Sequence, residues 1–470
     1  MILGGFMDRQ ELESSLYEIF KELLIRKESE NTKVPVGIQN SLFVSSMNIQ
    51  EHPMRNVKKN LRMKYYNVLR YVVLNQNSDE FVQTRLSKYG MLLIGSPDIE
   101  VDESMVKADI NAIVNCKYMP WRKKYRYGIL SDIALILVNK EKVEKAYLEI
   151  ASFIQKNQQN SIAEFYTTLN EVQSDITRFL WSENLISQVK SNWNFYDLVE
   201  KRVIVSATMS AGKSTLINAI IGKKIAKTSQ EACTGNTCYI YNKPFEDNTT
   251  YLCNEECFYD ATESELENIS WQNDSKIATY FRALDTPSKR VCLIDTPGVN
   301  SAINRNHGRI TKKALTNEKF DKVIYVLNAN KLGTEEEMAY LKWFVNNVDK
   351  DKVIFVLNKI DDFNVSEDNI LESIEGVRKD LNLLGYDNPI ICPFSAYFAL
   401  LLKMKAFNEK LSDDEEDEYQ LYVKKFSKPA YDLTKYYSNS TPEDGDSELM
   451  IMSKRCGLYG LEKILFGGAV

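Results

Sequence analysis

The residues of this chain best suited to chemistry fall in four short stretches that occur in one order. Ala207-Thr208-Met209-Ser210-Ala211-Gly212-Lys213-Ser214 comes first, then Thr234, then Asp295-Thr296-Pro297-Gly298, then Asn358-Lys359-Ile360-Asp361. The first is of the kind that cradles phosphate: small residues let backbone N–H groups turn inward, and a helix starting at Lys213 would aim its positive end at the anion. Lys213 would reach the β- and γ-phosphates and the Ser214 hydroxyl would sit on Mg²⁺, with Ser210, Ala211, Gly212 and Thr215 lining the same loop. Asp295 would hold the magnesium through water, and the Gly298 N–H would reach a γ-phosphate that exists only before hydrolysis. Thr234 would offer its hydroxyl to the metal and its carbonyl to an attacking water, with Thr237 as the alternative. Ser214, Thr234 and Asp295 are thus the expected metal set.

The last stretch chooses the base. Asp361 can accept two parallel hydrogen bonds from the guanine N1–H and exocyclic amine, each worth about 1.5–3 kcal/mol. Adenine offers no such pair, so an adenine nucleotide would lose roughly two to four decades of affinity. Asn358 would brace the loop and the Lys359 stem would lie against the base. Further on, Ile390-Ile391-Cys392 leads into Pro393-Phe394-Ser395-Ala396, a loop in which the Ala396 N–H would meet the guanine O6 and Ser395 would stand beside it. The ligand expected is GTP or GDP with Mg²⁺.

Such loops need strands behind them. Val203-Ile204-Val205, Val291-Cys292-Leu293-Ile294 and Val353-Ile354-Phe355-Val356-Leu357 supply apolar runs directly before the first, third and fourth stretches. This predicts an α/β P-loop head with a mostly parallel central sheet whose loops share one edge. Residues 1–196 read as an all-α domain preceding that head, and 197–470 as the head itself. An insertion at about 244–289 is expected to decorate the sheet edge, and the acidic run Asp413–Glu418 reads as a solvated loop at about 411–418. In the helical part, Asp8 and Glu11 resemble a capping box before the apolar face Leu12, Leu16, Ile19, Phe20, Leu23 and Leu24. Ile162, Phe165, Leu169, Val172, Ile176 and Phe179 recur at steps of three and four; packing within the chain's own bundle is the favoured reading, a coiled-coil surface for a second protomer the alternative. A helix is predicted over 397–410.

Composition sets limits on function. The chain has 470 residues, 44% of them apolar and 26% charged, enough for two or three globular domains. Its formal net charge of −6 reads against bulk attraction to nucleic acid or to an anionic bilayer, although a local basic patch could still serve either. Arg122-Lys123-Lys124-Tyr125-Arg126 is a local basic patch, expected to be a solvated face. The eight cysteines are scattered, two of them in apolar strands (Cys292, Cys392), which suits a reducing, cytoplasmic compartment. Cys253 and Cys257 form a C-x₃-C with no second pair nearby, which reads against zinc. With only two histidines, acid–base chemistry has little scope, and His307 reads as a surface residue. The most apolar stretch, 127–138, is too short for a membrane span and is interrupted by Asp132, so any membrane contact is expected to be peripheral.

Taken together, the four stretches resemble those of a dynamin-family large GTPase, in its bacterial dynamin-like form. Ser210 matches the serine of the family's G-x-Q-S-x-G-K-S loop, with Ala207 in place of its first glycine. Ala232-Cys233-Thr234 resembles the switch threonine region, and Val326–Thr334 resembles the segment after the fourth core strand. The separation of 82 positions from Lys213 to Asp295 is also longer than in a small GTPase. The resemblance covers roughly 198–400. It implies hydrolysis of GTP to GDP and phosphate, with Ser210, Lys213 and Thr234 as catalytic residues. It also implies pairing of two heads across their nucleotides, with Ser210 helping to place a monovalent cation. Nucleotide-driven movement of a helical arm and membrane remodelling would follow, with a companion dynamin-like or stalk-bearing protein as a further partner. Met209 stands where the family has the glutamine that orients the attacking water, so turnover is expected to be slow until a head partner supplies the missing contact. The alternative is a nucleotide-gated scaffold that controls a partner protein with little turnover and no lipid contact.

Overall fold

The computed structural model describes residues 52–467, apart from residues 55, 180 and 439 and the segments 98–101, 116–119, 172–173, 227–235, 254–256, 268–273, 285–288, 300–305 and 365–366. The capping box expected at Asp8 and the helix after it lie outside the described residues.

The first part is helical: α1 (Lys59–Gln76), α2 (Glu80–Ile94), α3 (Glu103–Val114), α4 (Lys123–Leu137), α5 (Lys140–Ser152), α6 (Lys156–Asn170) and α7 (Glu183–Asp197). Asp79 and Asn139 start α2 and α5 by accepting backbone N–H groups of Val82 and Lys142, satisfying donors that a helix start leaves open. Helix α4 is buried without interruption from Arg126 to Leu137, so it is the core of the bundle and not an amphipathic surface helix. Asp132 at its middle is tolerated because Tyr65 Oη (2.5 Å), Tyr89 Oη (3.1 Å) and His52 Nε2 (2.9 Å) all hydrogen-bond its carboxylate. Arg126 is buried too, donating to the Val114 carbonyl at 2.7 Å and Ser161 Oγ at 2.6 Å, so it does not belong to the basic patch expected at 122–126.

The heptad-like spacing in 162–179 is not one helix. Helix α6 ends at Asn170, and Ile176 and Phe179 follow in the connection to α7. Phe179 folds back edge-on to Phe165 and Tyr127, with centroids 5.2 and 4.7 Å apart, so it closes the bundle from within; Val172 lies outside the described residues.

The head comprises β1 (Lys201–Ala207), α8 (Lys213–Ile221), β2 (Cys238–Asn242), β3 (Tyr251–Cys253), β4 (Cys257–Phe258), α9 (Glu263–Glu267), β5 (Ser275–Thr279), β6 (Val291–Asp295), α10 (Asn306–Asn317), β7 (Lys322–Asn328), α11 (Glu335–Asn347), β8 (Val353–Asn358), α12 (Ile370–Leu383), β9 (Ile391–Pro393), α13 (Ala396–Ala406), α14 (Asp413–Phe426), α15 (Glu448–Arg455) and α16 (Leu458–Phe466). The described strands form one sheet in the order β4-β3-β5-β2-β6-β1-β7-β8-β9. From β6 to β9 all pairs are parallel, which requires helical crossovers and buries both faces; β1, β6, β7 and β8 are accordingly almost continuous apolar runs. The protein is therefore an α/β P-loop-type head preceded by a helical region. Three of the edge strands, β3, β4 and β5, come from the expected insertion, which extends the sheet beyond β2.

The acidic run is a helix start, not a loop. Ser412 and Glu415 form a reciprocal capping box, and Asp413 to Glu416 occupy the first turn of α14, where the positive end of the helix dipole favours carboxylates. His307 is buried on α10, and burial lowers its pKa; the surface position expected for it is incorrect.

Among the described residues, the helical region meets the head at α2, where Lys88 also pairs with Asp260 at 2.9 Å, and at the end of α7. Arg85 of α2 is buried and donates to Tyr251 Oη at 3.0 Å, while Phe81 packs edge-on against Tyr251 and Tyr259. Arg290, directly before β6, donates to the Tyr196 carbonyl (2.7 Å) at the end of α7. No described helix is long and apolar enough to cross a membrane.

Candidate functional site

The first loop leaves β1 and turns into α8 through two left-handed residues, Ser210 (φ 61°) and Gly212 (φ 87°). A serine in that region costs about 1–2 kcal/mol, and the alternation of handedness is what points successive N–H groups into one concavity. Gly212 is required on a second count: a Cβ there would lie 2.3 Å from Asn358 Nδ2. That amide donates to the Ala211 carbonyl (3.0 Å), and Asn328 Nδ2 at the end of β7 donates to the Ser210 carbonyl (3.1 Å). The phosphate-type loop is thus tied from below by the ends of β7 and β8. Lys213, Ser214 and Thr215 form the first turn of α8.

Lys213 Nζ is ion-paired with Asp295 Oδ1, and both are buried. Two side chains that the sequence assigns to phosphate and magnesium therefore neutralise each other. After Asp295, Thr296 Oγ1 donates to the Val205 carbonyl (2.9 Å) and the Val299 N–H donates to that of Ala207 (3.1 Å), while the Met209 N–H returns a bond to the Val299 carbonyl (3.2 Å). This short parallel bridge brings Gly298 alongside Met209: a Cβ on Gly298 would meet Met209 Cγ at 3.5 Å. Thr234 lies outside the described residues. Thr237, its alternative, is buried, and its backbone N–H donates to Asp274 Oδ1 at 3.2 Å.

At the other end, Asp361 sits in a 3₁₀ turn, Ile360–Asp362, entered through Lys359 at φ 70°. Ser395 Oγ donates to Asp361 Oδ1 at 2.6 Å. Burial pushes the Asp361 carboxyl above the ordinary carboxylate range, the Ser395 hydrogen bond pulling the other way and the Asp362 charge adding to the rise. The Ala396 N–H donates to Asn358 Oδ1 at 3.0 Å. In this structure the N–H expected to meet the guanine O6 is thus bonded to the residue before Lys359. Asn358 consequently joins three loops, accepting from Ala396 and donating to Ala211.

Several contributors have no signal in the sequence. Lys425 of α14 donates to the Asp361 carbonyl and, at 2.7 Å, to that of Phe363, and Tyr431 Oη donates to the Phe363 carbonyl at 2.8 Å. Asn330 Nδ2 reaches Asp362 Oδ2 at 3.1 Å. Their distance along the chain, 64 residues from Lys425 to Asp361, puts them beyond any motif.

With this geometry in place, comparison with known proteins adds that residues 203–360 match the Dynamin family. The chain carries a dynamin-superfamily GTPase domain. It is 27% identical over 215 residues to "Probable transmembrane GTPase FZO-like, chloroplastic" of Arabidopsis thaliana, a match covering 46% of this chain and 21% of that protein. Dynamin-like protein 1 of Campylobacter jejuni is 22% identical over 344 residues, covering 62% of this chain and 45% of that one. An uncharacterized Caldicellulosiruptor protein is 27% identical over 300 residues, covering 61% and 70%. The match thus spans about a fifth of the plant relative's length. The dynamin-superfamily segment begins in β1 and ends at Ile360, so it contains the phosphate-type loop, the Asp295 loop and Asn358, and stops just before Asp361.

Proposed function

We propose that this chain binds GTP with Mg²⁺, hydrolyses it slowly as a single head, and uses nucleotide-dependent pairing of two heads to move its helical region in membrane remodelling. The observation that carries the reading is Asn358, whose amide is bonded at once to the phosphate-type loop and to the base loop, tying the two ends into one site. Within that site Asp361 is a buried carboxylate suited to the paired donors of guanine, and Lys213 a buried ammonium suited to phosphate. Ser214 and Asp295 present oxygen donors, which fit a hard divalent cation; Mg²⁺ there would neutralise phosphate charge. Thr234 would complete that set and position the attacking water, and Ser210 would help place a monovalent cation between heads. Movement can pass along β6, which has Arg290 gripping the end of α7 just before its start and Asp295 at its other end. Trp121 and Trp181 are exposed near Lys124, an arrangement suited to a peripheral contact with anionic lipid from the cytoplasm.

A specific observation favours a second reading. Met209 packs beside Gly298 where a polar side chain would serve hydrolysis, which suits a nucleotide-gated scaffold with little turnover. Turnover per head measured against protein concentration decides. Under head pairing the rate per head rises with concentration, by at least about tenfold. A flat rate near zero, with GTP still bound, would sink head pairing and leave the scaffold.

A further inference from the structure

The insertion carries a site that the nucleotide reading does not use. Cys253 ends β3 and Cys257 begins β4, and the two are direct partners across this antiparallel pair. Residues directly opposite on antiparallel strands hold their Cα atoms about 4.5–5.5 Å apart, inside the roughly 4.4–6.8 Å that a disulfide spans. Their side chains lie on the same face of the sheet and the Cys253 thiol is hydrogen-bonded to Cys257, so closure needs no rearrangement of the strands. Both are free thiols. On the other side of Cys253, its partner on β5 is Lys276, which places an ammonium, a thiol and a second thiol in one row across three strands.

The two thiols are not equivalent. Cys253 is fully buried, whereas Cys257 is only partly so. The hydrogen bond from Cys253 holds the Cys257 thiol below its ordinary pKa, with Lys276 helping and burial and Glu80 of α2 opposing. The same bond, with burial, raises Cys253. Among the described residues no third His, Cys, Asp or Glu joins them to make a metal site.

We propose that Cys253 and Cys257 form a reversible dithiol–disulfide site, oxidised by a small-molecule disulfide such as glutathione disulfide. Cys257, as thiolate, attacks one sulfur of the oxidant and expels one glutathione thiolate, leaving a mixed disulfide. Cys253 then loses its proton to solvent and attacks Cys257 Sγ, expelling the second glutathione thiolate. Two protein thiols are oxidised, one glutathione disulfide is reduced to two glutathiones, and the protons balance.

The test is to treat the full chain with glutathione disulfide, quench in acid, alkylate and map each cysteine by mass spectrometry. The expected product is a 253–257 cross-linked peptide lighter by two hydrogens and reversed by dithiothreitol. It should form at least about tenfold faster than any modification of the buried Cys238, Cys292, Cys392 and Cys456. In Cys253→Ser the glutathione adduct should persist on Cys257. A wild-type chain whose Cys257 stays free, or keeps its adduct without closing, overturns the proposal, as does a Cys253→Ser variant with no adduct on Cys257.

Discussion

The two ends of the candidate nucleotide site are held together in different ways. At the base end the bonds join parts of the scaffold: Asn358 to Ala396 and Ala211, Lys425 and Tyr431 to the carbonyls that flank the 3₁₀ turn. None of these needs to break for a base to be seated against Asp361, and the Ser395 hydroxyl on Asp361 Oδ1 leaves Oδ2 and a second lone pair of Oδ1 to accept. At the phosphate end the buried pair joins two groups that, on the proposed reading, phosphate and magnesium would engage: Lys213 and Asp295. One end is preorganised, which lowers the cost of binding. The other must exchange internal partners for external ones, which is how a bound ligand can shift a conformational equilibrium.

The largest effect that would break this contrast is at Lys213. Lys213→Ala removes a phosphate ligand and also strands a buried carboxylate, so nucleotide affinity should fall by about three decades and nucleotide-free stability by about 3 kcal/mol. A Lys213→Met/Asp295→Asn double variant should recover most of the stability and none of the binding, a non-additivity read by urea unfolding and titration. If the double variant is no more stable than the single one, the internal pair is not what holds this end. Next in size, Asp361→Asn should cost GTP about a hundredfold in affinity and turn the preference to xanthine nucleotides, since an amide can donate where the carboxylate only accepts. Unchanged preference would mean that base reading lies elsewhere.

Asp361 also sets a pH dependence with a definite sign. Its folded-state pKa is raised by burial, so its contribution to nucleotide-free stability is present below the ordinary carboxylate value and is lost as pH rises through the raised value. Asp361→Asn without nucleotide should therefore melt higher at neutral pH, by about 2 °C. Guanine binding requires the ionised form, so it should release protons at mildly acidic pH and weaken on further acidification. Calorimetry in buffers of different ionisation enthalpy reads the proton count; proton uptake would contradict the assignment.

What the sequence makes legible follows the same division. Runs such as Val203–Val205 and Val353–Leu357 announce β1 and β8 because a parallel strand buried on both faces must be apolar throughout. The loops after them are legible because small residues and carboxylates at fixed offsets from a strand end have few other uses. The acidic run looks like a loop when its carboxylates are only counted, whereas Ser412, by capping, turns those charges into a helix start. The 162–179 spacing points rightly to packing within the bundle, but it does not show that the helix ends at Asn170 and that Phe179 returns from the connection that follows. Burial of His307, and the reach of Lys425 and Tyr431, depend on elements far apart in the chain, and no local pattern encodes them.

The smallest effect expected is the one that tests the preorganised end most directly. Lys425→Met removes two charge-assisted bonds to the carbonyls of Asp361 and Phe363, partly exposed and so worth about 1–2 kcal/mol together. The phosphate end is untouched, so the loss should appear as a three- to tenfold drop, roughly, in GTP affinity. Inosine triphosphate lacks the exocyclic amine and makes only one of the two bonds to Asp361, so its affinity should fall less than that of GTP. Equal losses for both nucleotides would mean that Lys425 supports the head generally, and the claim that α14 positions the base-reading carboxylate would fail. A selective loss would place the carboxy-terminal helices in control of base discrimination while the switching end keeps its own response to phosphate.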